Sequence, residues 1–286
     1  MNERRFEVLL ALVISARATS FIFNKLVLRE MQPFNMQAVR FTLAALLMAL
    51  LFFGRLRQID RRTLRAGAVL GTLYFAEMSC ELIALRTATT ATVSLLTNCS
   101  IILVPLLEAL LHRHAPTRSA ILCALTAMAG VVCLALERGG FSGSVRMGLL
   151  SPVFYASAII ATGHFTREAI DSLCVGIVQN AAIALLATAA SFFFETPQLP
   201  PNADVWKMFA VLVIVGTGFG FTLQPVAQRH VSVERAGLMC AISPAVTALL
   251  GFFVLHERLG LLGLLGMALI LCSIMLPHLG FSFSRE

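Results

Sequence analysis

Two carboxylates, Glu77 and Glu81, stand four residues apart in the apolar stretch FAEMSCELIAL, Phe75 to Leu85. At helical spacing they share one face. Two like charges this close are suited to holding one proton and exchanging it when a cation or an ammonium group binds. Placed inside a bilayer, each costs about 2.5–3.5 kcal/mol on insertion scales unless it is paired, protonated or wetted. Arg17, at the centre of the first apolar stretch, is the natural counter-ion. Two compatible roles follow: a salt bridge that fixes the first and third apolar helices, and a substrate- or proton-binding face.

Further polar residues extend this constellation. Tyr74 lies three residues before Glu77 on the same face and can stack on a ligand or hydrogen-bond it. Ser20 and Asn24 continue the face of Arg17, whereas Lys25 is near the segment's end and can snorkel. Asn98, beside Thr97 and Ser100, serves equally well as a cavity residue or as a helix–helix hydrogen bond worth about 0.6 kcal/mol. The second half offers Tyr155, His164, Asn180 and Gln224. A lone histidine such as His164 near a helix end is more often packed or interfacial than a proton relay.

The elements that must position these residues follow from composition. The 286-residue chain is 58% hydrophobic and 13% charged, with a mean hydropathy of +0.85. Soluble domains carry roughly a quarter charged residues, so the bilayer is the expected solvent. The apolar segments run to about 20 residues, enough to cross about 30 Å of hydrocarbon as helices. The alternation of barrel strands is missing. About ten spans result, at 6–28, 34–54, 64–85, 88–111, 118–136, 146–166, 172–194, 205–225, 236–255 and 260–280. The first reads as a true span and not a cleaved signal, because its apolar run is too long and no small-residue cleavage site follows.

The net charge of +7 is explained by short loops and not by nucleic acid. With the N-terminus inside, roughly thirteen loop arginines and lysines fall on the inner side against six on the outer. The positive-inside rule then places both termini in the cytoplasm of a multi-pass inner (cell) membrane protein. The densest cluster, Gly54 to Arg62, anchors the second loop. All seven cysteines fall within spans and form no CxxC pair, so packing is preferred over metal or disulfide. No cofactor or metal is expected.

Sliding the chain by 143 residues aligns Ala84 and Arg86 with Ala227 and Arg229, Leu95 with Leu238, Leu122 with Leu265 and Thr19 with Thr162. Each half, 1–143 and 144–286, then holds five spans. An odd number forces the second half to enter from the opposite side, an inverted-topology repeat suited to alternating access. By the same offset Glu77 corresponds to Gly220, Glu81 to Gln224, Arg17 to Ile160 and Asn98 to Ala241. The charge of the site therefore comes from one half. Gly67–Gly71 and Gly216–Gly220 are GxxxG spacings that let helices approach and slide, and GGFSGS from Gly139 to Ser144 reads as the linker.

The segments HVSVERAGLMCAISPAVTALLGFFVLHERLG with LLGLLGMALILCSI, and ALRTATTATVSLLTNCSIILVPLLEALL in the first half, resemble the drug/metabolite transporter superfamily, specifically its ten-helix EamA branch. Arg40 also matches the family's second helix. Two departures stand out: Ser15 to Thr19 replaces a Trp-containing pair, and the turn glutamate kept as Glu257 is His114 in the first half. The resemblance implies an all-α integral membrane protein of ten transmembrane helices arranged as two inverted five-helix repeats. It also implies a secondary active transporter, an exporter of a small polar metabolite such as an amino acid or amine. Proton coupling through Glu77 and Glu81 is the accompanying expectation, and the chain acts as monomer or homodimer. The alternatives are a membrane-embedded enzyme, for which HExxH and GxSxG are lacking, and a non-transporting sensor.

Overall fold

The structure, a computed structural model, describes residues 3–111, 113, 118–137, 143–167, 171–229, 231, 239, 242–257 and 260–275. His114, most of the 139–144 linker, Cys240 and Ala241 lie outside them. Every regular element described is helical: α1 (Glu3–Val27), α2 (Pro33–Leu51), α3 (Phe53–Leu56), α4 (Arg61–Leu85), α5 (Thr90–Asn98), α6 (Ser100–Leu111), α7 (Arg118–Glu137), α8 (Gly143–Gly148), α9 (Ser151–Arg167), α10 (Ser172–Phe194), α11 (Ala203–Val211), a π-helical stretch Leu212–Phe221, α12 (Thr222–Gln228), α13 (Ile242–Leu255) and α14 (Leu261–Met275).

Helix starts are fixed by local chemistry. Pro33 opens α2, where its missing N–H costs nothing. Asp60, Thr89, Asp171 and Asn202 cap α4, α5, α10 and α11 by accepting first-turn amides. The hydrogen bonds from Thr63 also hold the Asp60 carboxyl below the usual carboxylate range. The fourth span divides at Cys99, and Pro105 lies inside its second segment. In the eighth span Pro225 follows the π-helical stretch, and Thr217 and Thr222 bond carbonyls five residues back, at 3.0 and 3.3 Å.

Among the described residues, seven helices are long and apolar enough to cross a membrane, with three shorter apolar ones at 121–133, 246–255 and 261–273. Cross-links between distant loops decide whether the shorter ones cross. The Glu195 carboxylate accepts from the amides of Phe34 at 2.9 Å and Asn35 at 2.7 Å, so both lie at one membrane face. An even number of crossings must separate them, which requires α7 to span along with the five long helices between. Glu257 accepts from the Thr90 amide at 2.9 Å and its hydroxyl at 2.6 Å, and the same parity then requires α13 to span. Arg55 and Asp171, 3.8 Å apart, meet at the other face. Each long helix leaves side chains such as Leu50, Leu185 and Phe193 exposed to lipid.

The repeat is legible in three dimensions. Arg113 and His256, both with φ 53, end α6 and α13 in the left-handed conformation and are 143 residues apart. Gln37 donates to Ser79 at 3.3 Å, and Asn180 donates to Thr222 at 2.8 Å, again 143 apart. Helix pairs follow suit: the first span packs on the eighth and ninth as the sixth packs on the third and fourth. The second and seventh spans pair with each other, as do the fifth and tenth. The all-helical, two-repeat, ten-span fold expected from the sequence is the one observed.

Replacing Glu257 by alanine removes the carboxylate that satisfies the first turn of α5. Thermal unfolding in detergent is expected to show a loss of about 0.5–2 kcal/mol, the usual range for a lost cap.

Candidate functional site

The first, second and third spans carry Arg17, Arg40 and Glu77 about 10–15 Å from their ends at the Glu195 face, at 1.5 Å per residue. Between the halves these spans border a cavity of about 30 Å³. Arg17, Ser20 and Asn24 of α1, Arg40 of α2 and Glu81 of α4 line it, with Thr97 and Asn98 from the fourth span. Tyr155, Phe221 and Ser243 close it from the sixth, eighth and ninth spans. A volume of this size holds a water or two.

Arg17 is held by the second half. Its Nη1 donates to Tyr155 Oη at 3.1 Å and to Gln224 Oε1. Its guanidinium lies 4.0 Å from the Phe221 ring centroid, with Tyr155 and Tyr74 at 5.1 and 5.5 Å, an aromatic enclosure favourable to a cation. Gln224 Nε2 in turn donates to Tyr74 Oη at 2.9 Å. The ring of Phe221 packs edge-on to Tyr74 and Phe41, both at 5.5 Å.

Arg40 is wholly buried. Nε donates to Thr217 Oγ1 at 2.7 Å, Nη1 to Asn24 Oδ1 at 3.0 Å and Nη2 to Ser20 Oγ at 3.4 Å. The π-helical stretch presents Thr217, and its glycines make room for both arginines. A Cβ on Gly216 would fall against Ser20 Oγ and 3.1 Å from Arg40 Nη2; one on Gly220 would sit 2.9 Å from Arg17 Cγ. This GxxxG pair seats side chains, whereas Gly67 and Gly71 meet the seventh span at Val178, Ala182 and the Gln179 carbonyl.

The residues singled out from sequence mostly converge. Arg17, Glu81, Asn24, Asn98 and Tyr155 line the cavity, and Tyr74 and Gln224 bond to its wall. Glu77 is fully buried one turn behind Glu81, and the two carboxyl groups interact. Asn24 Nδ2 and Asn98 Oδ1 are unpartnered. The charges of Arg17 and Arg40 act on both carboxylates. Among the described residues, however, the ion pairs within 4.0 Å are Arg55–Asp171 and Lys207–Asp204. The close bridge expected between Arg17 and the glutamates is thus replaced by contacts to Tyr155 and Gln224.

His164 is not brought to the cavity: its side chain is exposed and its ring rests against Phe165 at 5.7 Å. Lys25 does not snorkel alone but donates to the Leu85 and Ala88 carbonyls at 2.5 and 2.6 Å, capping the end of α4. Arg40 was missed as a site residue from sequence. Its signal was present, since an arginine inside an apolar span with no acid on its own helix needs partners elsewhere.

A ten-span bundle of two repeats around a charged cavity has the architecture of a membrane transporter. A model of the EamA-like transporter family matches residues 5–136 and again 144–277. The chain belongs to that family. It is 23% identical over 270 residues to an uncharacterized transporter of Archaeoglobus fulgidus, covering 94% of this chain and 84% of the relative. It is also 27% identical over 122 residues to the uncharacterized transporter YcbK of Bacillus subtilis, where the match spans 41% of this chain and 39% of that relative. A solved crystal structure of a protein superposes with a TM-score of 0.64 at 19% identity, covering 94% of this chain and 97% of its own, and shares the fold.

Proposed function

We propose that the protein is a secondary active exporter of a small polar metabolite such as an amino acid or amine, working by alternating access in the inner membrane with both termini cytoplasmic. The observation that carries this reading is the cavity between the halves, with Arg17 on one wall and Glu81 on another. Opposed charges in one low-dielectric pocket suit a small solute bearing complementary groups, because Coulombic attraction strengthens as water is excluded. The halves 1–143 and 144–286 are the units that rock about it.

The two glutamates divide the work. Glu81 touches the cavity and meets the solute; Glu77, fully buried one turn behind it, holds the proton. Solute binding against Glu81 changes the charge that Glu77 experiences, which links proton release to loading.

The test is counterflow of amino acids and amines in proteoliposomes over a range of pH. Glu81→Gln is expected to lower transport at least tenfold at every pH, and Glu77→Gln to retain counterflow but flatten its pH dependence. Intact rates and an intact pH profile in both variants would rule the mechanism out.

A further inference from the structure

Gln224 sits where a substrate group would be expected. Arg17 only donates hydrogen bonds, so the Gln224 amide must turn its oxygen toward the guanidinium and its nitrogen toward Tyr74 Oη, 2.9 Å away. Gln224 is buried, and its own anchor on Tyr74 keeps that oxygen aimed. By the 143-residue offset Gln224 is the counterpart of Glu81. The second repeat therefore offers Arg17 a neutral planar acceptor at the position where the first repeat carries a carboxylate.

We propose that the Gln224 carboxamide is an internal stand-in ligand for Arg17, which a carboxylate on the transported solute displaces. The proposal rests on the transport reading above. An amide offers one oxygen, whereas a carboxylate offers two in the geometry of the guanidinium fork. A carboxylate also brings a full negative charge, whose Coulombic attraction to the guanidinium is strengthened where water is excluded. It therefore outcompetes the neutral amide, while an amine or a neutral solute does not. A glutamate at 224 would be displaced by nothing, and an apolar residue would leave the guanidinium without that acceptor between cycles. Withdrawal of the Gln224 side chain frees Arg17, which lines the cavity, to meet a solute group there. Gln224 is thus a positioning residue that selects for a carboxylate and fills in for it in the empty carrier.

The experiment titrates three matched panels against purified protein by thermal shift: L-amino acids, the amines left by their decarboxylation, and the acids left by removal of the amino group. Gln224→Ala, which removes the competitor, is expected to bind carboxylate-bearing solutes about tenfold more tightly, and Gln224→Glu at least tenfold more weakly; tenfold corresponds to about 1.4 kcal/mol. A merely structural role would move both variants the same way. Tyr74→Phe, which releases the amide's anchor without removing it, is expected to tighten binding two- to threefold and decides the matter if Gln224→Ala does not fold. Weaker binding in all three variants would overturn the proposal, as would amines that bind as tightly as their parent amino acids and ignore residue 224. In that last case the transport reading survives. If no member of any panel binds, the transport reading fails, and this proposal fails with it.

Discussion

Replacing Arg40 by methionine is expected to destabilise the protein by on the order of 3–5 kcal/mol and to abolish counterflow. Methionine replaces the aliphatic stem of arginine but carries no donor. Thr217 Oγ1, Asn24 Oδ1 and Ser20 Oγ would lose the partner that now meets all three. The charge of Arg40 also acts on Glu77 and Glu81, and its removal leaves them to Arg17 alone. Breaking one side of a buried charge network is costly because the remaining charge stays buried and uncompensated. Lysine keeps the charge but not the planar fork, so thermal unfolding should rank wild type above Arg40→Lys and that above Arg40→Met. Adding Glu81→Gln to Arg40→Met should recover part of the loss, a coupling readable in a double-mutant cycle. A stability change below about 1 kcal/mol in Arg40→Met would contradict this account of the network, because the expected loss for one side of such a pair is several times larger.

The second large effect is expected from Gly176→Ala, a change of one methyl group outside the charged cavity. Gly176 lies in the seventh span against the backbone of Thr222 in the eighth. An added Cβ would come within 3.0 Å of the Thr222 Cα and closer still to its carbonyl. No side chain can rotate away, so the helices must separate, and the 2.8 Å bond between Asn180 and Thr222 opens with them. Overpacking of this kind typically costs 1–3 kcal/mol, and a backbone obstacle puts this site at the upper end. Gly54→Ala is the matched control, since nothing lies within 4 Å of a Cβ there. The midpoint of thermal unfolding should fall for Gly176→Ala and stay near wild type for Gly54→Ala.

Much of this was open to reading from the chain. The solvent was fixed by apolar runs of about 20 residues, because no soluble core of this length can hide them. The repeat was visible as a 143-residue offset, and the left-handed residues Arg113 and His256 and the paired bonds Gln37–Ser79 and Asn180–Thr222 bear the same offset. The polar residues of the site stood out because each costs free energy in hydrocarbon. Glu81, Arg17, Asn24, Asn98 and Tyr155 were marked on that ground, and they line one cavity.

Partnership was another matter. Spacing along a helix tells which residues share a face, not what the face meets. Arg17 looked like the mate of Glu77 and Glu81, yet its bonds run to Tyr155 and Gln224, 138 and 207 residues away. Arg40 stood out as a buried charge, but its segment could not name its acceptors, which come from the first and eighth spans. His164 read from sequence as packed or interfacial sooner than as a proton relay, and the rotation of α9 leaves it exposed. The sequence by itself determined the solvent, the span count, the repeat and the set of polar residues held in the membrane, since each follows from transfer cost and periodicity within one segment. Only the tertiary structure decided which of them meet, because contacts between spans depend on how helices rotate and pack, and on glycines such as Gly216 and Gly220 that leave room for an arginine from another helix.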